Sequence, residues 1–372
     1  MEMKCVEIRV IELPLVRPFR TSFGTQLNRE LLLLKVTTQA GIEGWAECVA
    51  MSEPLYSPEY TMGCQDVLER FLLPRIFQQG DIRAEEVSDV LRPILGQQMA
   101  KAAIETAILD TQLKEAGLSF GSFLGSSREM IDCGVSVGIA KSMEALVEEV
   151  DLYISEGYRR IKLKIEPGWD IEPVRTIRQL WPDIPLQVDA NQAYSRGDYN
   201  HLKNLDPFDL LLIEQPLDEH DVLGHAELAQ VISTPVCLDE SITSLQAARD
   251  ALELRATSII NIKPGRVGGY FESVKIHDLC VENDIPVWCG GMLETGIGRA
   301  ANVALAALPG FTLPGDTSAS SRYFARDITT PFVMSDGQLR VPTAPGIGVE
   351  IDHDFIEEIT TSVRVIWRKD AL

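Results

Sequence analysis

The chain has 372 residues, of which 45% are hydrophobic and 24% charged, and its formal net charge at pH 7 is -21. This length allows a full α/β barrel together with a further domain, and the apolar content allows a sizeable core. The strong negative charge argues against a nucleic-acid partner and against an anionic membrane surface.

Cysteine usage and the absence of long apolar runs indicate the compartment. The seven cysteines are scattered and include no C-x-x-C pair, so we expect neither disulfides nor a zinc site. A reducing cytoplasm is then the natural location. The first residues are charged throughout, and no run reaches the roughly 20 apolar residues that cross a bilayer. We therefore expect no signal peptide and no membrane partner.

The first part of the chain has the pattern of strands followed by helices. Alternating or apolar segments at 5–13, 31–37 and 41–46 predict three strands. Residues 18–26 and 51–59 have the composition of loops, and 99–116 is rich in strong helix formers. We predict an α+β capping domain over residues 1–130.

The pattern of predicted elements changes at about residue 132, where candidate strands begin to alternate with helical segments. We predict a β/α barrel over residues 131–325, because eight such strands favour closure over an open sheet. Residues 326–372 would form a C-terminal segment that returns to the capping domain. The candidate strands are 135–139, 161–165, 186–189, 210–214, 236–239, 259–263, 287–289 and 311–313.

Five of these strands carry a charge at or next to their C-terminal end, with a spacing of 24 or 25 residues. The carboxyl ends of parallel strands meet on one rim of a barrel, so the five side chains should gather there. Strand alternation also points Lys162 inward beside the first of them. The five residues are Lys164, Asp189, Glu214, Asp239 and Lys263.

A single strand-end charge is usually a structural ion pair, but five in succession would be costly to bury unless they are paired or bind a metal. Three carboxylates supply hard oxygen ligands, which suit Mg²⁺ or Mn²⁺ rather than zinc. None of the five histidines ends a candidate strand, and the glycines after Lys263 lack the spacing of a nucleotide-binding loop. The pattern therefore predicts a divalent-cation site flanked by two lysines.

With these motifs the chain resembles the enolase superfamily, and within it the muconate-lactonizing-enzyme-like subgroup, over nearly its whole length. The closest branch contains the o-succinylbenzoate synthases and the N-acylamino acid (N-succinylamino acid) racemases. The resemblance implies a modified TIM-like (β/α)7β barrel with an α+β capping domain. The motifs are KLK at 162–164, VDAN at 188–191, IEQP at 213–216, LDES at 238–241, NIKPGRVGG at 261–269 and GGMLETGIGRAAN at 290–302.

The resemblance also implies roles for individual residues. Lys164 and Lys263 would transfer protons on opposite faces of the substrate. For Arg266, a supporting role near Lys263 and a solvated charge on the loop are equally good interpretations. The metal ligands, for Mg²⁺ or for Mn²⁺ in its place, would be Asp189, Glu214 and Asp239. The supporting residues would be Lys162, Asn191, Glu240 and Arg266. The substrate contacts would be Phe19, Phe23, Met51, Tyr56, Ser136, Gly290, Gly291, Met292 and Leu293.

Several of these contacts have a structural alternative. The four residues from the capping domain could simply pack the cap against the barrel, and Ser136 could be an inert strand serine. The chemistry itself has a clear physical reason, because removing an α-proton beside a carboxylate puts a second negative charge on its oxygens. The base must then have a lowered pKa, which Lys162 beside Lys164 and Arg266 near Lys263 would provide.

The implied activity is that of an o-succinylbenzoate synthase, a carbon–oxygen lyase that dehydrates a cyclohexadiene carboxylate by syn elimination in menaquinone biosynthesis. The alternative is racemisation of N-succinylamino or N-acylamino acids, since the same five residues serve both reactions. Muconate cycloisomerisation and dipeptide epimerisation are less favoured, because residues 315–317 do not clearly form an epimerase recognition motif. A non-catalytic scaffold is disfavoured because neither lysine nor any of the ligands is lost. We expect a small carboxylate substrate and a homo-oligomer.

Overall fold

A computed structural model describes residues 1–367 of the chain. Within them, the strands form a four-stranded antiparallel sheet, a seven-stranded parallel sheet and a two-stranded ribbon. The strands are β1 (Met3–Thr21), β2 (Gly24–Thr38), β3 (Glu43–Cys48), β4 (Met130–Asp132), β5 (Gly134–Val137), β6 (Arg160–Lys164), β7 (Leu186–Asp189), β8 (Ile213–Glu214), β9 (Val236–Leu238), β10 (Ile259–Ile262), β11 (Val287–Cys289), β12 (Gln338–Arg340) and β13 (Thr360–Trp367).

The helices pack on the open faces of these sheets, and none in residues 1–367 is both long and apolar enough to cross a membrane. They are α1 (Thr61–Val67), α2 (Leu73–Gln78), α3 (Ala84–Leu91), α4 (Gln98–Ala116), α5 (Phe120–Leu124), α6 (Met143–Ser155), α7 (Ile171–Leu180), α8 (Tyr199–Leu202), α9 (Val222–Leu228), α10 (Leu245–Glu253), α11 (Pro264–Val267), α12 (Tyr270–Glu282), α13 (Gly296–Ala306) and α14 (His353–Ile359).

The capping sheet has the strand order β13-β1-β2-β3 and is covered by α4, which begins one residue before the predicted helix. The loop predicted at residues 18–26 is wrong. Strands β1 and β2 stay paired as far as Thr21 and Gly24, so Ser22 and Phe23 alone form the turn. The pairing register shifts between Pro14 and Phe19, an irregularity that a sequence pattern does not reveal.

The barrel sheet has the order β11-β10-β9-β8-β7-β6-β5, so the predicted fold class is confirmed. The eighth predicted strand, at 311–313, is not a regular strand. Phe311 instead makes a single bridge to Val287 of β11, and Gly315 makes one to Cys133, the residue before β5. The amide of Gly134 also donates to the Gly315 carbonyl at 2.7 Å. Pro314, which has no N–H, lies between these bridges and cannot continue a ladder. The segment nevertheless joins both edges of the sheet.

The C-terminal part of the chain adds one strand to the capping sheet and one to the two-stranded ribbon. Strand β13 pairs antiparallel with β1 from Ile11–Thr360 to Cys5–Trp367, and β12 pairs with β4. The predicted three-part division at residues 130 and 325 stays a prediction. The end of the third part, residues 368–372, lies outside the described residues.

A buried carboxylate links the cap to the barrel. Glu105 on α4 accepts hydrogen bonds from the backbone amides of Tyr270 at 2.5 Å and Phe271 at 3.3 Å, at the start of α12. Burial raises the pKa of Glu105 to about 8, against an ordinary value of 4.5. Its contribution to folding is therefore fully present below pH 4.5 and is lost as the pH rises through 8.

We therefore expect Glu105→Gln to gain stability relative to the wild type as the pH rises. The difference in unfolding free energy should grow by on the order of 4 kcal/mol between about pH 5 and pH 9, because the amide carries no charge to bury. Urea unfolding of both proteins at the two pH values measures it. Glu115→Gln, at an exposed position of the same helix, is the control and should show no such trend. A pH-independent difference for Glu105→Gln would contradict the assignment.

Candidate active site

The carboxyl ends of the barrel strands bring the five predicted charges together. Lys164 and Asp189 are direct partners between β6 and β7, and Asp189 and Glu214 are partners between β7 and β8. Asp239 directly follows β9, and Lys263 directly follows β10. All five are buried, with exposed fractions of 8% or less. The spacing of the sequence thus located one contiguous rim.

Each of the two predicted proton-transfer lysines forms an ion pair with one carboxylate. The Lys164 Nζ atom donates to Asp189 Oδ2 at 2.5 Å and to Asn191 Oδ1 at 2.6 Å. The Lys263 Nζ atom donates to Asp239 Oδ2 at 2.7 Å and to the Tyr56 hydroxyl at 3.1 Å. The two ammonium groups are therefore held at different carboxylates of the same rim.

Lys162 is held more tightly than either of them. Its Nζ atom lies 2.6 Å from Asp316, 3.0 Å from Glu214 and 3.3 Å from Asp189, and 4.7 Å from the centre of the Trp288 ring. Burial lowers the pKa of Lys162, but the three carboxylates raise it by more, so it lies above its ordinary value. A permanently charged Lys162 suits a supporting role better than that of a base.

The pKa of Lys263 differs from the expectation. Burial lowers it, but interactions with Tyr56, Glu214 and Glu240 raise it by more, so the pKa of Lys263 is raised rather than lowered. For Asp189, burial raises the pKa, but Lys164 and Lys162 together lower it below its ordinary range. The lowered pKa that was predicted for Lys263 is therefore not observed, because Tyr56 and the buried carboxylates raise it.

Arg266 is a buried part of the site and not a solvated loop charge, since only 5% of it is exposed. Its guanidinium contacts Asp239, donates to the Tyr56 hydroxyl at 3.2 Å and donates to the backbone carbonyls of Ile242 and Asn261 at 2.7 and 2.6 Å. Arg266 therefore fixes the same carboxylate that binds Lys263.

The three predicted metal ligands are paired with lysines of the protein itself. In the part of the chain that the structure describes, no group of three or more His, Cys, Asp and Glu side chains has the arrangement of a metal site. Ammonium or guanidinium groups contact each of the three carboxylates instead. The donor chemistry still fits a hard cation, because two further buried acceptors, Glu240 Oε2 and Asn261 Oδ1, have no hydrogen-bond partner among the described residues.

A pocket lies directly above the lysines, between the capping loops and the barrel. Of the predicted substrate contacts, Gly290 alone does not line it. A Cβ at Gly290 would lie 2.6 Å from Asn261 Nδ2 and 2.7 Å from Lys263 Cε, so the glycine makes room for both side chains. The predicted residues that line the pocket are Phe19, Phe23, Met51, Tyr56, Ser136, Lys162, Lys164, Asn191, Lys263, Gly291, Met292 and Leu293.

Four residues that line the pocket were missed: Thr21, Gln26, Asp316 and Tyr323. Tyr323 lies edge-on to Phe19, with ring centres 6.4 Å apart. Asp316 forms ion pairs with Lys162 at 2.6 Å and with Arg160 at 2.9 Å. The sequence signal that could have identified Asp316 is its position just after the predicted eighth strand, where a side chain would reach the same rim.

The capping sheet, the parallel barrel and the buried charged rim together define an α/β-barrel enzyme with a capping domain. Residues 145–355 match the family described as enolase C-terminal domain-like, and residues 5–125 match the mandelate racemase / muconate lactonizing enzyme N-terminal domain. The chain therefore belongs to the enolase superfamily, as the motifs predicted.

Relatives that match over nearly their full length include N-succinylamino acid racemases and o-succinylbenzoate synthases. The chain is 58% identical to an N-succinylamino acid racemase of Amycolatopsis sp., covering 97% of this chain and 98% of the relative. It is 47% identical to an o-succinylbenzoate synthase of Geobacillus stearothermophilus, covering 98% and 97%. A solved enolase-superfamily structure from Listeria innocua has a TM-score of 0.95 at 39% identity, covering 99% of this chain and 100% of the other.

Proposed function

We propose that the protein is an o-succinylbenzoate synthase, which removes an α-proton from a cyclohexadiene carboxylate and expels the β-hydroxyl group as water from the same face. The observation that carries this proposal is one pocket lined by both Lys164 and Lys263 above three buried carboxylates. The synthases among the relatives support it, at 41–47% identity over nearly the whole chain.

In this proposal Lys164 is the base. The neutral amine accepts the α-proton, and the resulting ammonium then donates a proton to the departing hydroxyl, so one lysine serves both steps of a syn elimination. Lys263 stays protonated and stabilises the developing negative charge across the pocket. Lys162, held by three carboxylates, contributes a fixed positive charge beside Lys164.

A divalent cation, Mg²⁺ or Mn²⁺, would be held by Asp189, Glu214 and Asp239, and would stabilise the dianion formed when the proton leaves. Enzymes of this superfamily use a Lys or His base together with Mg²⁺, which stabilises the enediolate. For these ligands to bind it, Lys164 and Lys263 must release Asp189 and Asp239.

The second candidate is racemisation of N-succinylamino acids, and two observations favour it. The 58% identical relative carries that activity, and Lys164 ends β6 whereas Lys263 follows β10, four strands away in the sheet. Racemisation needs both lysines in turn, one to remove the α-proton and the other to return a proton to the opposite face. The proposal includes an enzyme with both activities.

Proton exchange in D₂O separates the two lysine roles. Opposite-face bases mean that each enantiomer of an N-succinylamino acid meets a different lysine. We expect Lys164→Arg to stop α-proton exchange from one enantiomer and Lys263→Arg to stop it from the other, because arginine keeps its charge but cannot act as a base near neutral pH. Proton NMR of each enantiomer with each variant measures the loss.

Two outcomes would decide against parts of this assignment. Equal loss, or equal retention, of exchange for both enantiomers in either variant would contradict the two-base arrangement. If the wild type exchanges neither enantiomer but dehydrates the cyclohexadiene substrate, the protein is a dedicated synthase and the racemase alternative is wrong. Lys141→Arg, at an exposed lysine, is the matched control.

The biological setting belongs to the same proposal. We place the enzyme in menaquinone biosynthesis, in the cytoplasm, as a homo-oligomer with a small carboxylate substrate and without a nucleic-acid partner. The net charge of -21 supports the last point. Adjacent genes for menaquinone synthesis would favour the synthase, and adjacent genes for amino-acid acylation would favour the racemase.

A further inference from the structure

A carboxylate of the capping domain lies against the first turn of a barrel helix. Glu47 in β3 is 8% exposed, and its Oε2 atom accepts hydrogen bonds from Thr295 N at 3.0 Å, Thr295 Oγ1 at 2.7 Å and Gly298 N at 3.3 Å. Thr295 is the N-cap residue of α13 but forms no cap bond with its own side chain. Glu47 therefore caps α13 from a distant part of the chain and places an acceptor at the positive end of its dipole.

The approach of the two parts is close enough to require a glycine. A Cβ at Gly298 would lie 2.9 Å from Glu47 Oε2 and 3.0 Å from Glu294 Cγ. Any larger residue there would push either carboxylate away from the helix start. The contact between Glu47 and α13 is therefore sterically specific.

A second carboxylate connects this helix start to the catalytic pocket. Glu294 Oε1 accepts hydrogen bonds from Met292 N at 2.8 Å and from Asn302 Nδ2 at 2.9 Å. Leu293, between Met292 and Glu294 in the sequence, has a φ of 58°, in the left-handed region that is unfavourable for leucine. Met292 and Leu293 both line the pocket. The strained wall of the pocket is thus held by Glu294, which directly precedes Thr295, the residue that Glu47 binds through two hydrogen bonds.

The strand that carries Glu47 also leads to the opposite wall of the pocket. Arg29, which is 1% exposed, donates to the carbonyls of Val49 at 2.7 Å and Ala50 at 2.8 Å. The next residue is Met51, which lines the pocket from the capping side. Glu47 therefore joins a fixed segment of the cap to the fixed start of α13.

We propose that Glu47 is a positioning residue that sets the separation between the Met51 wall and the Met292–Leu293 wall of the catalytic pocket. It contacts none of the reacting lysines through a hydrogen bond, so it determines how well the substrate is held and not the rate of the chemical step. The kinetic part of this inference rests on the proposed function, whereas the contact itself can be measured without turnover.

The test compares Glu47→Ala with Glu47→Gln. We expect Glu47→Ala to raise KM on the order of tenfold, for whichever substrate the enzyme dehydrates or racemises, because one helix cap and its hydrogen bonds are lost. The kcat should stay within about twofold of the wild type. Hydrogen exchange at the amides of Thr295 and Gly298 should accelerate by a similar factor. Glu47→Gln keeps an acceptor oxygen and should restore most of both. Glu43→Ala, on the same strand but with a side chain 42% exposed, is the control.

Several results would overturn the proposal. These are an unchanged KM with unchanged exchange in Glu47→Ala, a fall in kcat at constant KM, and a Glu47→Gln variant that behaves like Glu47→Ala. If Glu47→Ala does not fold, Thr295→Val removes the donor of the 2.7 Å bond and must shift KM and exchange in the same direction. If the wild type turned over neither substrate, the proposed function would fail. Unchanged exchange between 292 and 298 in the variants would then still refute the contact.

Discussion

Lys164→Ala is expected to lose both dehydration and racemisation. A positioned general base contributes about 10²–10⁴-fold to a proton transfer, and here the same residue also returns the proton to the leaving group. We therefore expect kcat to fall by at least this factor for the cyclohexadiene substrate and for both N-succinylamino acid enantiomers. Steady-state kinetics with each substrate measures the loss.

The structure provides a control for this variant and an outcome that would contradict it. Lys162 stays within 3.3 Å of Asp189, so that carboxylate keeps one cationic partner when Lys164 is shortened. Lys141→Ala removes an exposed lysine and should leave kcat unchanged. A Lys164→Ala enzyme that dehydrates its substrate at nearly the wild-type rate would mean that Lys162, and not Lys164, is the base.

Asp239→Asn should have the second large effect, together with a dependence on Mg²⁺ or Mn²⁺. The substitution removes one ligand charge from the proposed cation site and one partner from both Lys263 and Arg266. Each tenfold loss of rate corresponds to about 1.4 kcal/mol, and a lost charge of this kind costs several kcal/mol, so we expect a fall of about 10²–10³-fold or more. Equilibrium dialysis should show weaker binding of Mn²⁺.

The corresponding wild-type experiment is removal of the metal. Exhaustive chelation should abolish turnover, and added Mg²⁺ or Mn²⁺ should restore it in the wild type. Asp250→Asn, at an exposed carboxylate of α10, changes the net charge by the same amount and should keep full activity. Full activity of Asp239→Asn after chelation would rule out the metal site.

The rim of the barrel could be predicted because its signal is local and periodic. Each of Lys164, Asp189 and Glu214 closes a short buried strand, and one β/α unit separates them, so sequence spacing translates directly into neighbouring positions. The buried state of Arg266 could not be predicted, since its burial depends on Tyr56 from the other end of the chain.

The features that sequence reasoning missed depend on contacts between distant residues. Tyr323 lines the pocket because Phe19 packs against its ring. The wrong prediction of an eighth strand has a local cause, since Phe311–Leu313 has a strand-like composition but Pro314 stops the ladder. The raised pKa of Lys263 reflects the combined effect of Tyr56 and several buried carboxylates, which no single motif encodes.

The pairing of β13 with β1 has a consequence for biosynthesis. One edge of the capping sheet is formed by residues 360–367, so β1 cannot acquire this neighbour until almost all of the chain has left the ribosome. At about 5–20 residues per second, the β1 edge stays open for some tens of seconds while the barrel is being made. Open edges are templates for pairing with other chains. Nascent-chain aggregation, and any need for chaperones, should therefore be greatest before the last strand emerges.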